Sequence, residues 1–334
     1  MSSASLSFGV AGQSARQLSL VIETCRYLGL PEVAPEAADI ILTDDRPNFP
    51  SHEKAGPWLA WKGLTVHRQN SCLTFTYGAW QVVIDTARRL VTPIALAPSG
   101  DALASYDCYA FLRLILLFLL RRLGWFELHG GACVHTGRGY IFVGASGSGK
   151  TSAVLGLLEA GWDYVSDDAL LVRQVFSNQA AVDGAVSALY VRAGRALFSV
   201  TTDGLRRFPH LQPHAERRLQ HVEKWIVDPA AIWSGRHEPV AQPDFLFFCQ
   251  LRDAEETQLQ PLPMADALAR LMVSTPWLAL DRDTAEAHLA TYRKLIESCY
   301  SFTLLMGRDV LHCPSQLATY LDAQELTQLH RTYA

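Results

Sequence analysis

The sequence predicts an α/β protein in two parts, on three observations. After about residue 101, short apolar segments of strand length alternate with segments of helical spacing, the order that builds a sheet covered by helices. Within that half, a glycine-rich turn joins an apolar strand to a helix. The first hundred residues differ, with one helix-period segment followed by period-two alternation, the mark of half-buried antiparallel strands. The expected division is therefore 1–100, a mixed α+β N-terminal domain for which substrate or partner binding is open, and 101–334, a second domain carrying the turn.

The elements follow in order. A helix is expected over 15–27, and strands over 73–77 and 82–84. The stretch 43–57 is polar and rich in turn formers, which reads as an exposed loop, and 97–101 is the best boundary. The apolar run 109–126 reads as a buried helix. Arg113 interrupts it and Arg121 and Arg122 close it, so the uncharged part is far short of the roughly 20 residues that a membrane span needs. Strands follow at 126–134 and 140–143, a helix at 152–160 that stops at Gly161, and a strand at 164–165 that runs into Ser166-Asp167-Asp168. The segment 203–223 is polar and carries Arg206, Arg207, Arg217 and Arg218, either a cover for anionic groups or a solvated loop. A strand at 245–251 and a mainly helical end with a strand at 302–306 complete the chain, with no internal repeat.

Composition narrows the function classes. With 334 residues, 49% hydrophobic and 19% charged, the chain can bury a large core. A net charge of -4 gives no overall pull toward nucleic acid or anionic lipid. The seven cysteines form no C-x-x-C pair and no cluster with histidine, which points to free thiols in a reducing compartment. The N-terminus lacks a basic start followed by an apolar core, so the expected location is cytoplasmic, with no nucleic-acid partner and no membrane span.

The turn is Gly144-Ala145-Ser146-Gly147-Ser148-Gly149-Lys150-Thr151, which fits G-x-x-x-x-G-K-[ST], the Walker A or P-loop pattern, at every fixed position. Its chemistry explains its composition. Glycines let backbone N–H groups turn toward phosphates, and the helix N-terminus, including Ser152, adds partial positive charge. Lys150 reaches the outer phosphates, and the Thr151 hydroxyl holds magnesium. ATP and Mg2+ are the expected ligands; ATP and GTP are not told apart.

Two further features adjoin the turn. His129 falls at the end of a strand leading toward it, in Leu128-His129-Gly130-Gly131, and Asp167-Asp168 follows an apolar strand. A carboxylate at the end of a neighbouring strand can hold a metal or accept a proton from an attacking hydroxyl.

With these residues and their spacings, the chain resembles the HPr kinase/phosphorylase family, and more closely its shorter relatives, some linked to peptide-modification clusters. The resemblance implies a P-loop kinase core of the HPr kinase/PEP carboxykinase type over 101–334. It also implies an ATP-dependent kinase that phosphorylates a hydroxyl, with serine of a peptide or protein as the expected acceptor. It implies Asp167 as general base assisted by His129, Lys150 on the phosphates, and Thr151, Asp167 and Asp168 at the metal. Weaker likeness extends to the segment beginning at Glu223-Lys224-Trp225. The family carries glutamate in a Leu-Glu-Ile-Arg-Gly motif, where this chain has Leu189-Tyr190-Val191-Arg192. Arg192 and Lys224 are candidate contacts to phosphate or substrate. Two alternatives stay open, a metabolite or sugar kinase and a nucleotide-gated binding or assembly protein; a homo-oligomer and a reverse, phosphate-releasing reaction are undecided.

Overall fold

The computed structural model describes residues 6–12, 15–45, 56–96, 106–176, 187–195, 197–216, 224–275, 277–324 and 326. Its contacts divide the chain into two compact units that meet in sequence between Leu123 and Gly124.

The first unit is a mixed seven-stranded sheet with two helices. Its elements are β1 (Phe8–Ala11), α1 (Ala15–Tyr27), β2 (Ile40–Thr43), β3 (Leu59–Trp61), β4 (Leu64–Gln69), β5 (Cys72–Tyr77), β6 (Trp80–Asp85), β7 (Leu90–Ala95) and α2 (Tyr106–Arg122). The strand order is β1-β2-β7-β6-β5-β4-β3, with β1, β2 and β7 parallel and the rest an antiparallel meander. The apolar run forms α2. Its Phe118 meets the rings of Phe75 at 5.2 Å and Trp58 at 6.3 Å, edge to face, so α2 belongs with the N-terminal sheet rather than with the strands that follow it. Arg121 and Arg122 fold back over Phe118 at 4.9 and 5.8 Å, which shelters their stems against the helix they close. No helix among the described residues is long and apolar enough to cross a membrane. The expected boundary at 97–101 and residues 46–55 of the expected polar loop lie outside the described residues.

The second unit begins with β8 (Phe126–His135), β9 (Arg138–Val143), α3 (Lys150–Glu159), β10 (Asp163–Ser166), β11 (Ala169–Phe176) and β12 (Ser187–Ala193). It continues through β13 (Phe198–Thr201), α4 (Thr202–Arg207), β14 (Ala215–Glu216), β15 (Lys224–Val227), β16 (Val240–Ala241), β17 (Pro243–Leu251) and β18 (Gln258–Pro261). It closes with α5 (Met264–Val273), α6 (Trp277–Leu280), α7 (Ala285–Ser298), β19 (Tyr300–Met306), α8 (Arg308–His312) and α9 (Gln316–Ala323). The large sheet has the order β16-β12-β11-β8-β9-β17-β19-β18, with β10 also on β8, and β13-β15-β14 form a small separate sheet. At its centre β9, β17 and β19 are parallel. Both faces of this centre are apolar: Phe142, Phe247 and Leu304 pack with Val154 and Leu157 of α3 on one side, and Ile141, Leu246 and Phe248 with Tyr292 and Leu295 of α7 on the other. Burial on both faces is why these strands read as continuous apolar runs.

Two expectations are adjusted. His129 does not end a strand; it sits inside β8, which continues to His135. Part of the polar segment after residue 203 is folded, since Leu205, Phe208 and Leu211 enter the core and give α4 and a 3-10 turn an apolar anchor. Arg217 and Arg218 lie outside the described residues.

Candidate functional site

The site forms where the pairing along β8 breaks. Along one edge of β8, β10 pairs residues Asp163 to Ser166 with Val134 to Ala132, and β11 pairs Ala169 to Val172 with His129 to Phe126. Asp167 and Asp168 are the two residues between, opposite Gly130 and Gly131. The gap is held closed by Gly130 N–H, which donates to the Asp168 carbonyl at 3.1 Å. A side chain at Gly131 would come within 3.0 Å of the Asp167 carbonyl, so the close approach needs glycine. The other edge of β8 pairs Gly130 to His135 with β9, whose end at Val143 leads into the turn at 144–151.

The turn has the backbone that its composition requires. Gly149 caps α3 at φ +92 with no side chain bonded to the helix end, and Ala145, Ser146 and Gly147 form an exposed crest. Lys150 is buried, and its Nζ donates to the carbonyls of Gly144 and Ala145, each at 2.9 Å. Burial lowers the Lys150 ammonium from its ordinary value, while the Asp168 charge pulls the other way. Thr151 and Ser152 follow in the first turn of α3.

The aspartates have different surroundings. Asp167 is fully buried. Its Oδ1 is 2.8 Å from Arg195 Nη2, and its Oδ2 accepts from the Ser199 N–H at 3.3 Å and the Thr151 hydroxyl at 3.4 Å. Burial pushes its carboxyl above the usual range, against the opposing pull of Arg195. Asp168 keeps 28% of its side chain exposed. It meets Arg195 Nη1 at 3.2 Å and His129 Nδ1 at 3.6 Å. Burial raises its carboxyl, but Arg195, then His129, Lys224 and Lys150, outweigh that and hold it below the usual range. His129 Nδ1 is also 3.1 Å from the Asp168 carbonyl. Both neighbours of Nδ1 are acceptors, which assigns the proton to that nitrogen.

His129, Lys150, Thr151, Asp167 and Asp168 are thus brought together with the turn. Lys224, at the start of β15, lies near enough for its charge to act on both Lys150 and Asp168. Arg192 is buried with its guanidinium over the Trp125 ring at 5.8 Å, and Arg195 is the arginine that reaches the aspartates. Arg195 and Ser199 escaped the motif reading. No local sequence pattern marks them: the β11–β12 register, Leu170 to Ala193, returns the chain to the residues just before Ala169. The Ser166 hydroxyl then fixes that return, lying 2.8 Å from the Ala169 carbonyl and 3.1 Å from that of Arg195.

No protein-family model matches the sequence, and no curated protein does. Among solved structures, the HPr(Ser) kinase/phosphatase from Coxiella burnetii is similar over 59% of this chain and 97% of that one, at 10% identity and a TM-score of 0.29. A likeness at that level carries no argument, so the assignment rests on the geometry of the site.

Proposed function

We propose that the protein is an ATP-dependent kinase that transfers the γ-phosphoryl group to a hydroxyl, a serine of a peptide or protein being the acceptor class. One observation carries the reading: a lysine- and threonine-bearing turn at a helix N-terminus faces two aspartates of unequal exposure. The residues fit a magnesium nucleotide. Helix N–H groups lack a side-chain cap, and the buried Ser148 hydroxyl has no hydrogen-bond partner among the described residues. No group of three or more His, Cys, Asp or Glu side chains gathers to hold a metal among the described residues, so Thr151 would hold the ion with phosphate oxygens, and Asp167 would orient the Thr151 hydroxyl from behind. Magnesium so held supplies charge stabilisation to the transferring group.

The two aspartates divide the work in the reverse of the order that the resemblance implies. Asp167 is enclosed by Arg195, Ser199 and Thr151 and offers no face to an acceptor. Asp168 does, with His129 and Arg195 orienting it. Asp168 takes the acceptor proton as the acceptor oxygen bonds to the γ-phosphorus and the bond to the nucleoside diphosphate breaks. A weak base suffices, because positioning and charge do most of the work in phosphoryl transfer. Lys150 leaves the Gly144 and Ala145 carbonyls to meet the phosphates, and Lys224 adds a second positive charge nearby.

The test compares three variants by fluorescent-nucleotide binding and by mass spectrometry of peptide acceptors supplied with ATP. Lys150→Ala is expected to lose nucleotide affinity, and Asp167→Asn to lose its magnesium dependence. Asp168→Asn should keep nucleotide binding and lose transfer. Wild-type transfer by Asp168→Asn overturns the assignment of the base, and label appearing only in small-molecule acceptors overturns the acceptor class.

A further inference from the structure

We propose that a cavity on one face of the N-terminal sheet binds an organic cation on a short aliphatic stem, a guanidinium or a primary ammonium. The cavity holds about 470 Å³, within the range of small-ligand sites. Its floor is one face of three adjacent strands. Val83 of β6 pairs with Thr92 of β7, and Ile41 of β2 with Leu90 of β7, and all four line the cavity. The alternate residues Leu42, Ile84 and Val91 are fully buried on the opposite face.

The polar groups of the cavity are unequally satisfied. Thr43 accepts the Asp45 N–H at 3.1 Å, which pins Asp45 at the mouth. Thr92 is 2% exposed, lines the cavity, and makes no hydrogen bond through its hydroxyl to any described residue. That hydroxyl is a donor and an acceptor that an occupant of the cavity can meet.

The charges point to the sign of the occupant. Asp85 is consumed by its own turn: Oδ1 accepts from the Ser71 hydroxyl at 3.0 Å and from the N–H groups of Ala87 and Arg88 at 3.0 and 3.2 Å, and Arg88 Nε is 3.8 Å from Oδ2. Arg88 and Asp85 therefore offset each other. Glu36 and Asp45, both exposed on the rim, engage their carboxylates in no hydrogen bond or ion pair among the described residues. Among the described residues, the cavity thus presents two negative charges without an ion-pair partner over an aliphatic floor with one open hydroxyl. Acidic groups of the described residues do not gather closely enough to hold a bare metal ion. An alkyl cation matches all three features: its stem meets Val83, Ile41 and Leu90, its head meets Glu36 and Asp45, and an N–H reaches Thr92.

This inference does not depend on the nucleotide site. The test titrates the full chain with agmatine and cadaverine by calorimetry, with n-butylurea and succinate as neutral and anionic probes. One-to-one binding of a cation is expected, with neither control binding. The double variant Glu36→Gln/Asp45→Asn, whose changes are on the rim, should weaken that binding by about tenfold or more. Thr92→Val should weaken it with the circular dichroism spectrum unchanged, and Lys150→Ala should leave it intact. The proposal is overturned if neither cation binds, if the double variant binds as tightly as the wild type, or if Lys150→Ala abolishes binding.

Discussion

Arg195 holds Asp167 by a guanidinium nitrogen 2.8 Å from Oδ1, and neither side chain is more than a tenth exposed. The pair is a structural element of the site as well as an electrostatic one, because the same guanidinium spans to Asp168.

Removing one partner of a buried pair leaves the other charge uncompensated, at a cost of about 3 kcal/mol or more. Arg195→Ala should lose stability of that order in urea unfolding at pH 7. Burial already raises the Asp167 carboxyl, and without Arg195 it rises further, so Asp167 binds a proton in the folded variant before it does in the unfolded chain. The deficit is therefore expected to shrink as the pH falls from 7 toward 4. A deficit that stays constant across that range contradicts the pairing. The double variant Arg195→Ala/Asp167→Asn should recover part of the loss.

Asp168 gives the opposite sign. Its folded carboxyl lies below the usual value, so its contribution is fully present above the ordinary carboxylate range, near pH 4, and is lost as the pH falls through the lowered folded value. Asp168→Asn should flatten the acid limb of the stability curve below about pH 4 and leave its neutral part little changed in slope.

Gly149→Ala tests the turn. The residue sits at φ +92, and an added Cβ would come 2.5 Å from Met306 Cε and 3.0 Å from Leu251 Cδ2. We expect a loss of about 1–3 kcal/mol from backbone strain, read as a lower Tm, together with weakened nucleotide binding. Wild-type affinity in this variant means that the turn does not cradle the phosphates.

The thiols provide a check on the core. Cys313 is exposed, whereas Cys249 is buried beneath the turn and burial pushes its thiol up to about 12. Maleimide should label Cys313 first, and Cys249 only on unfolding. Rapid labelling of Cys249 in the native protein indicates a looser core around Lys150.

Much of the second unit was legible because its signals are local. The strand expected at 140–143, the turn and the helix expected at 152–160 follow from residue order alone and appear within a residue or two as β9 and α3, and the apolar runs at 245–251 and 302–306 are what two-sided burial produces. The strand expected over 126–134 appears as β8, with His129 inside it rather than at its end; Gly130 and Gly131 let the aspartates lie close against the continuing strand. Arg195 was invisible for another reason, since its partners are brought to it by a hairpin register and by no spacing near the motif. The membership of α2 depended on which sheet its aromatic side meets, and helical periodicity carries no such address. The cavity in the first unit arises where β2 meets the β6–β7 pair some forty residues further on, and no short pattern announces it.

The division of β8 between partners has a consequence for how this chain tolerates length changes. Side chains alternate across a strand, so a single-residue insertion or deletion before Gly130 would turn His129 to the opposite face or break the match to β11. The same event after Ala132 would keep the match of His129 to β11 but disturb those to β9 and β10, the strands that lead into the turn and the aspartates. Insertion scanning of 126–135 should thus separate two kinds of damage, loss of the His129 position from changes in the first half of the strand and displacement of the turn and the aspartates from changes in the second.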